Sequence, residues 1–183
     1  LLFAAAIAVR ALRFGLIFGA HGVRFPHGAD ELYHLRRIWF SVVNFPASLP
    51  FDRYMNHPLG ATPVWPPLFD WSIAAVARVL VGPADQGAVE VVAAWAPPVI
   101  GAVAVLAAAW LARRSFSPAA GWATGALLAV LPAHVFYSQL GEVDHHVAVG
   151  LFVLLLIGAA MRMAGPAATS GPRAGVATGL AAA

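Results

Sequence analysis

Long apolar runs make up most of this chain, and its polar residues gather in a few places between them. Residues 1–18 are apolar apart from Arg10 and Arg13. A bilayer-crossing helix takes about 20 apolar residues, so this run predicts the end of a first transmembrane helix, with both arginines snorkelling towards the interface. Residues 19–88 are more polar and predict a first outer loop. An amphipathic helix is expected there over 30–44, ended by Pro46. Asp30, His34, Arg37 and Ser41 share one face of it, and Leu32, Leu35, Trp39 and Val42 share the other. Asp30 suits the N-cap, and Glu31 in the first turn favours the positive end of the helix dipole. Residues 45–67 are irregular and rich in Pro and aromatics. The apolar run 68–81 carries Asp70 and Arg78 and is too short to span. It predicts a second interfacial helix.

Three further spans follow. Residues 89–112 predict the second transmembrane helix, with a kink at Pro97-Pro98. Residues 119–137, opened by Ser117-Pro118, predict the third. A second outer loop covers 138–146, and 147–163 predict the fourth span. An inner loop and the start of another helix are expected over 164–183. The fold class is therefore all-α, a polytopic transmembrane helical protein.

Composition strengthens that reading. The chain is 61% hydrophobic and 10% charged, against about 25% charged residues in soluble domains. Its mean hydropathy is +0.78. The absence of Cys excludes disulfide and thiolate chemistry. All eleven basic residues are Arg, scattered singly or in pairs, which fits membrane topology better than a nucleic-acid surface. The first run lacks the cleavage site and polar continuation of a signal peptide. A start at Leu1 and an end in a new apolar run predict a segment of a longer protein.

Charge also orients the spans. The positive-inside rule puts Arg113-Arg114 and the Arg162–Arg173 region in the cytoplasm. Alternation then places all eight acids outside, with the seven histidines on or near that side. An outward-facing polar site is the natural consequence, built from the first outer loop and from Glu142-Val143-Asp144-His145-His146.

Asp30 and Asp144 are the candidate pair within that site. Carboxylates from two loops suit a hard divalent cation, Mg²⁺ or Mn²⁺, shared with substrate phosphate. The plainer reading is that each acid caps a helix. His146 lies two residues after Asp144, where a further ligand could sit. His145 points about 100° away from it on a helix and is the weaker candidate. His34 could orient a ligand from behind or be an ordinary interfacial histidine. Arg37, with Arg36, could pair with phosphate, with lipid headgroups or with nearby acids. Glu31 and Glu142 are further polar candidates, Glu142 as a base, a third ligand or a solvated loop acid. Trp39, Trp65 and Trp71 suit an interfacial belt.

Three motifs carry a family resemblance. The stretch Asp30-Glu31-Leu32-Tyr33-His34-Leu35-Arg36-Arg37-Ile38 resembles the first-outer-loop motif of bacterial homologues of the oligosaccharyltransferase catalytic subunit. Asn56-His57-Pro58-Leu59-Gly60, followed by Trp65-Pro66-Pro67-Leu68-Phe69-Asp70, is similar to the same family. So is Leu131-Pro132-Ala133-His134, leading through Tyr137-Ser138-Gln139 to Gly141-Glu142-Val143-Asp144-His145-His146.

The resemblance implies the N-terminal part of a C-type glycosyltransferase fold in the plasma membrane, with its site facing the periplasm or exterior. It implies transfer of an oligosaccharide from a polyprenyl (di)phosphate carrier to Asn in Asn-x-Ser/Thr of an acceptor protein, with inversion. By resemblance Asp30 binds metal and contacts the acceptor amide, and Asp144 is the first Asp of an Asp-x-Asp metal motif. His146 stands where the second Asp would be. A third acidic ligand and a Trp-Trp-Asp motif belong to later parts of the family's chain, so this segment is not expected to act alone. The Asp30-Glu31 pair also resembles protein O-mannosyltransferases and lipid A aminoarabinose transferases. A transporter would need ionisable groups in mid-span, and the three later spans have none in their inner parts.

Overall fold

The computed structural model describes residues 1–26 and 28–164. The loop and helix start expected over 164–183, with Arg173, lie outside the described residues beyond Ala164, and so does His27. The described elements run α1 (Leu2–Arg10), α2 (Phe14–Ile17), β1 (Phe18–Gly19), β2 (Gly22–Val23), α3 (Ala29–Asn44), α4 (Leu68–Leu80), α5 (Gln86–Ser115), α6 (Pro118–Val130), α7 (Pro132–Phe136) and α8 (His146–Ala164). The only named strands among them form a small antiparallel hairpin, pairing Phe18 with Val23 and Gly19 with Gly22. Two of these helices, α5 and α8, are long and apolar enough to cross a membrane, with hydropathies of 2.1 and 2.0.

The chain divides into two compact units. One comprises Leu1–Leu12, Pro98–Gln139 and the chain from His145; the other comprises Arg13–Pro97 and Leu140–Asp144. Helix α5 runs through Pro97-Pro98 without a break and contributes to both.

The first unit is packed through small side chains. Ala6, Ala102, Val105 and Ala129 form its buried cluster, with Leu2, Ile7 and Leu128 against it. Small residues let helices approach closely in a membrane protein. A Cβ on Gly125 would lie 2.7 Å from Leu2 Cδ1, and one on Gly121 would lie 2.8 Å from the Ala109 carbonyl. Ser117 caps α6, its Oγ accepting from Ala120 N–H at 3.1 Å, a cap that contributes about 1 kcal/mol.

Two sequence expectations change in this unit. The helix expected over 119–137 is two helices, because Pro132 forces Leu131 into an extended conformation, φ −60° and ψ 119°. Arg10 does not snorkel; it is fully buried at the end of α1. Its Nε donates to Ser138 Oγ at 2.8 Å. Its Nη1 donates to the carbonyls of Ala6 and Ala129 at 2.9 and 3.1 Å. Its Nη2 lies 2.5 Å from His134 Nδ1, which must accept, since guanidinium can only donate. With its charge satisfied internally, Arg10 has no need of the interface.

The second unit holds the polar helices. Ile17, Ala94 and Leu140 form an apolar cluster joined by Phe18, Val23, Phe25 and Trp95. Gly141 carries the 140–144 segment across it. Its φ is 83°, its N–H donates to the Ala94 carbonyl at 3.1 Å, and a Cβ there would lie 2.8 Å from Ile17 Cδ1. Both the left-handed backbone and the close approach require glycine.

Helices α3 and α4 pack against each other in this unit. At the C-terminal end of α3, Arg78 of α4 donates to the Val42 carbonyl at 2.8 Å, satisfying one of the carbonyls a helix end leaves open. Trp71 stacks on Phe45 with ring centres 4.9 Å apart and donates to the Pro46 carbonyl at 3.0 Å. The N-cap of α3 is Gly28, with no side-chain cap bond, and Asp30 is the second helical residue. Asp30 is thus not the cap the sequence suggested. Much of the polar face of α3 turns inward: His34, Arg37 and Ser41 are buried while Asp30 is exposed, and on the opposite face Leu32 is 51% exposed and Val42 fully buried.

Candidate metal and donor site

Buried charge on α3 and α4 calls for an explanation, because an ion removed from water costs several kcal/mol unless partners replace the lost hydration. Here the partners form a chain. Arg37 donates through Nη1 to Tyr33 Oη at 2.7 Å and through Nη2 to the Trp65 carbonyl at 2.9 Å. Its guanidinium also lies 5.0 Å from the centre of the Tyr33 ring. The Arg37 Nε sits 3.0 Å from Asp70 Oδ2. The other oxygen of Asp70, Oδ1, is 2.6 Å from His34 Nδ1. On the far side of the ring, His34 Nε2 is 3.6 Å from Asp144 Oδ1.

The His34 ring is held edge-on by two aromatics, Phe69 at 5.3 Å and Tyr33 at 5.1 Å between ring centres. Burial disfavours a charged His34. Hydrogen bonding to Asp144 and Asp70, with the charges of both carboxylates, outweighs it and holds the imidazole above its usual pKa. A bare lone pair on Nε2 facing a carboxylate oxygen would be repulsive, so a proton or a cation belongs between them.

The remaining candidates fall as follows. Glu31 and Glu142 are buried; Glu142 is therefore not the solvated loop acid that is the plainer reading of the sequence. Its carbonyl accepts from Asp144 N–H at 2.8 Å, tightening the turn that presents Asp144. Asp30 is exposed, one helical turn before His34, a separation of about 6 Å along the axis. Asp30, His34 and Asp144 thus belong to one compact unit. His145 and His146 open the last segment of the other unit. There His145 is half-buried, and His146 is exposed with its ring stacked on Tyr137 at 5.0 Å.

Asp70 is the functional candidate that sequence reasoning passed over. It looked like a stray acid in an apolar interfacial helix. The available signal was its place at the end of Trp65-Pro66-Pro67-Leu68-Phe69-Asp70, in the first turn of α4. Arg36 has a separate role from Arg37: its Nε and Nη2 both donate to Asp52 Oδ2, at 3.0 and 2.7 Å.

The donor set fits a hard divalent cation. Carboxylate oxygens from Asp144 and Asp30 are the ligands Mg²⁺ and Mn²⁺ prefer. A metal-binding carboxylate typically has a polar partner behind it, and the His34 Nε2 lies 3.6 Å from Asp144 Oδ1.

Comparison with known proteins identifies the pattern. The family model for oligosaccharyl transferase STT3, N-terminal, matches residues 1–166. Dolichyl-phosphooligosaccharide-protein glycotransferase 1 of Archaeoglobus fulgidus is 32% identical over 152 residues, 82% of this chain and 24% of its own length. Dolichyl-monophosphooligosaccharide–protein glycotransferase AglB of Haloferax volcanii is 30% identical over 139 residues, 74% of this chain and 13% of its own. The chain therefore spans a quarter or less of these relatives.

Solved structures of the Archaeoglobus fulgidus oligosaccharyltransferase share the fold. Its complex with an inhibitory peptide and a dolichol-phosphate superposes with a TM-score of 0.79, at 24% identity, over 98% of this chain and 22% of that one. Its complex with Zn and sulfate gives 0.79, 24%, 99% and 24% for the same quantities. A form tethered to an acceptor peptide containing the NVT sequon gives 0.76, 22%, 98% and 22%.

Proposed function

The chain belongs to the oligosaccharyl transferase STT3 family, as part of its N-terminal region, and from that premise we propose that it forms the donor and metal side of a membrane glycosyltransferase. The full-length protein transfers an oligosaccharide from a polyprenyl phosphate or diphosphate carrier to asparagine in Asn-x-Ser/Thr of an acceptor protein. It works in the plasma membrane, with its site on the periplasmic or exterior face. The observation that carries this reading is the approach of Asp144 to His34, one turn along α3 from Asp30. The dolichol-phosphate and the NVT-sequon acceptor peptide held by the structural relatives support the same substrates.

Asp30 and Asp144, both in the second unit, would hold Mg²⁺ or Mn²⁺. Bound there, the ion supplies Lewis-acid stabilisation of the charge that builds on the departing phosphate. Asp30, exposed at the start of α3, orients the acceptor amide by accepting from its N–H. The new bond joins the amide nitrogen to the anomeric carbon with inversion. The bond from that carbon to the carrier's phosphate oxygen breaks, and one amide proton leaves.

The test is peptide glycosylation by the full-length protein. Asp30→Ala and Asp144→Ala should each lower transfer by at least 100-fold, in line with the loss of a charged transition-state group, while membrane insertion is unchanged. Activity near that of the unmodified protein in either variant would overturn the assignment.

A further inference from the structure

We propose that Asp70 is a positioning residue for the Asp144 carboxylate, acting through His34. This rests on the metal-site reading above and assigns a role to the Trp65–Asp70 motif. Asp70 is 1% exposed, yet both its oxygens are engaged, Oδ1 by His34 and Oδ2 by Arg37. Arg37 is fixed in turn by Tyr33 Oη and by the carbonyl of Trp65. The motif therefore supplies two contacts in this chain: the Trp65 carbonyl orients Arg37, and Asp70 links Arg37 to His34.

The consequence falls on the imidazole. Its Nδ1 is tied to Asp70, so its Nε2 is aimed at Asp144, and the Phe69 and Tyr33 rings pack edge-on against it. A flip of the ring would take Nδ1 away from Asp70 and leave that carboxylate without one of its two partners. Asp144 Oδ1 lies 3.6 Å from that Nε2, so the fixed imidazole sets where the carboxylate can sit. The buried part of the polar face of α3, His34 and Arg37, carries this line of contacts from the 65–70 segment to the 140–144 segment. Simple adhesion of α3 to α4 would need only the Arg37–Asp70 pair. It would not require the second nitrogen of His34 to face an acid from a segment more than a hundred residues further on.

Mn²⁺ affinity of the purified full-length protein tests this, read by electron paramagnetic resonance of free Mn²⁺ with no acceptor or carrier present. Asp70→Asn should weaken binding about 10- to 100-fold, the usual cost of losing a partner behind a metal ligand. His34→Gln, which keeps the Arg37–Asp70 pair, should weaken it by a similar factor. The double variant should bind no more weakly than His34→Gln alone, because Asp70 acts only through that ring. Losses that multiply in the double variant would overturn the relay, as would unchanged affinity in either single variant. If Asp70→Asn does not accumulate in membranes, unchanged affinity in His34→Gln is sufficient to reject it. An unmodified protein that holds no Mn²⁺ removes the metal reading itself. Normal wild-type binding with unaffected variants removes only the role of Asp70.

Discussion

Two buried arginines, one in each compact unit, are held in opposite ways. Arg10 is surrounded by uncharged acceptors: two backbone carbonyls, a serine hydroxyl and an imidazole nitrogen. Arg37 is paired with a carboxylate that is itself paired with a histidine. The first arrangement joins α1 to α6 and to the segment around α7 and leads no further. The second continues to Asp144. A buried charge is thus not in itself a sign of chemistry; what separates the two is whether the partners lead to a group that can bind or react.

The comparison can be broken by removing each guanidinium. Arg37→Leu leaves the Asp70 carboxylate buried with a single charged partner, a situation that costs about 3–5 kcal/mol. Arg10→Leu strands only neutral acceptors, at about 1–3 kcal/mol. The carbonyl of Ala6 also keeps its helical N–H. Thermal melting of the full-length protein in detergent should therefore fall further for Arg37→Leu than for Arg10→Leu. Adding Asp70→Leu to Arg37→Leu should recover part of the loss, since the uncompensated charge goes with it. Equal losses, or no recovery in the double variant, would mean that Arg37 is a neutral staple like Arg10.

A smaller effect sharpens the Arg10 side. Gly101 lies where α5 passes the Arg10–Ser138 contact. A Cβ there would come 2.5 Å from Ser138 Cβ and 2.7 Å from Arg10 Nε. Gly101→Ala should cost about 1–3 kcal/mol through overpacking, seen as a lower melting midpoint. In an Arg10→Leu background, where the guanidinium has gone, the same change should cost measurably less. An undiminished cost would show that Ser138 alone sets the limit.

These two regions also mark how far the sequence could be read. Periodicity gave helix α3 and the membership of each of its faces, a short apolar run gave α4, and two polar segments gave Asp30 and Asp144 as candidates. It did not say which face of α3 is buried. Amphipathy fixes which residues lie together, but in a membrane protein the apolar face is free to meet lipid while the polar face packs inward. Leu32 and His34 exchange their soluble-protein roles for that reason. The roles of Asp70 and Arg10 were not legible because each depends on a partner far along the chain, 36 residues back for Asp70 and 128 ahead for Arg10. No local pattern encodes such pairings. The break at Leu131 was legible in Pro132, and the buried state of Glu142 was not.

The smallest effect belongs to Asp52 and Arg36, a pair that resembles Arg37–Asp70 on paper but opens to solvent, with the Arg36 side chain 33% exposed. Burial raises the pKa of the Asp52 carboxyl, but hydrogen bonds from Arg36 and from the N–H groups of Tyr54 and Met55, with the charge of Arg36, outweigh it and leave the pKa below the ordinary 3.8. A carboxyl whose folded pKa is depressed contributes stability that is fully present above its unfolded value and is lost as pH falls through the folded value. The difference in melting midpoint between the unmodified protein and Arg36→Gln should therefore be constant from pH 8 to pH 5 and shrink only below about pH 4. Its size should be about 0.2–1 kcal/mol, as for other partly exposed pairs. A difference that already narrows between pH 8 and pH 5 would mean that Arg36 is coupled to a histidine, and the separation of the Arg36 pair from the Arg37 network would fail.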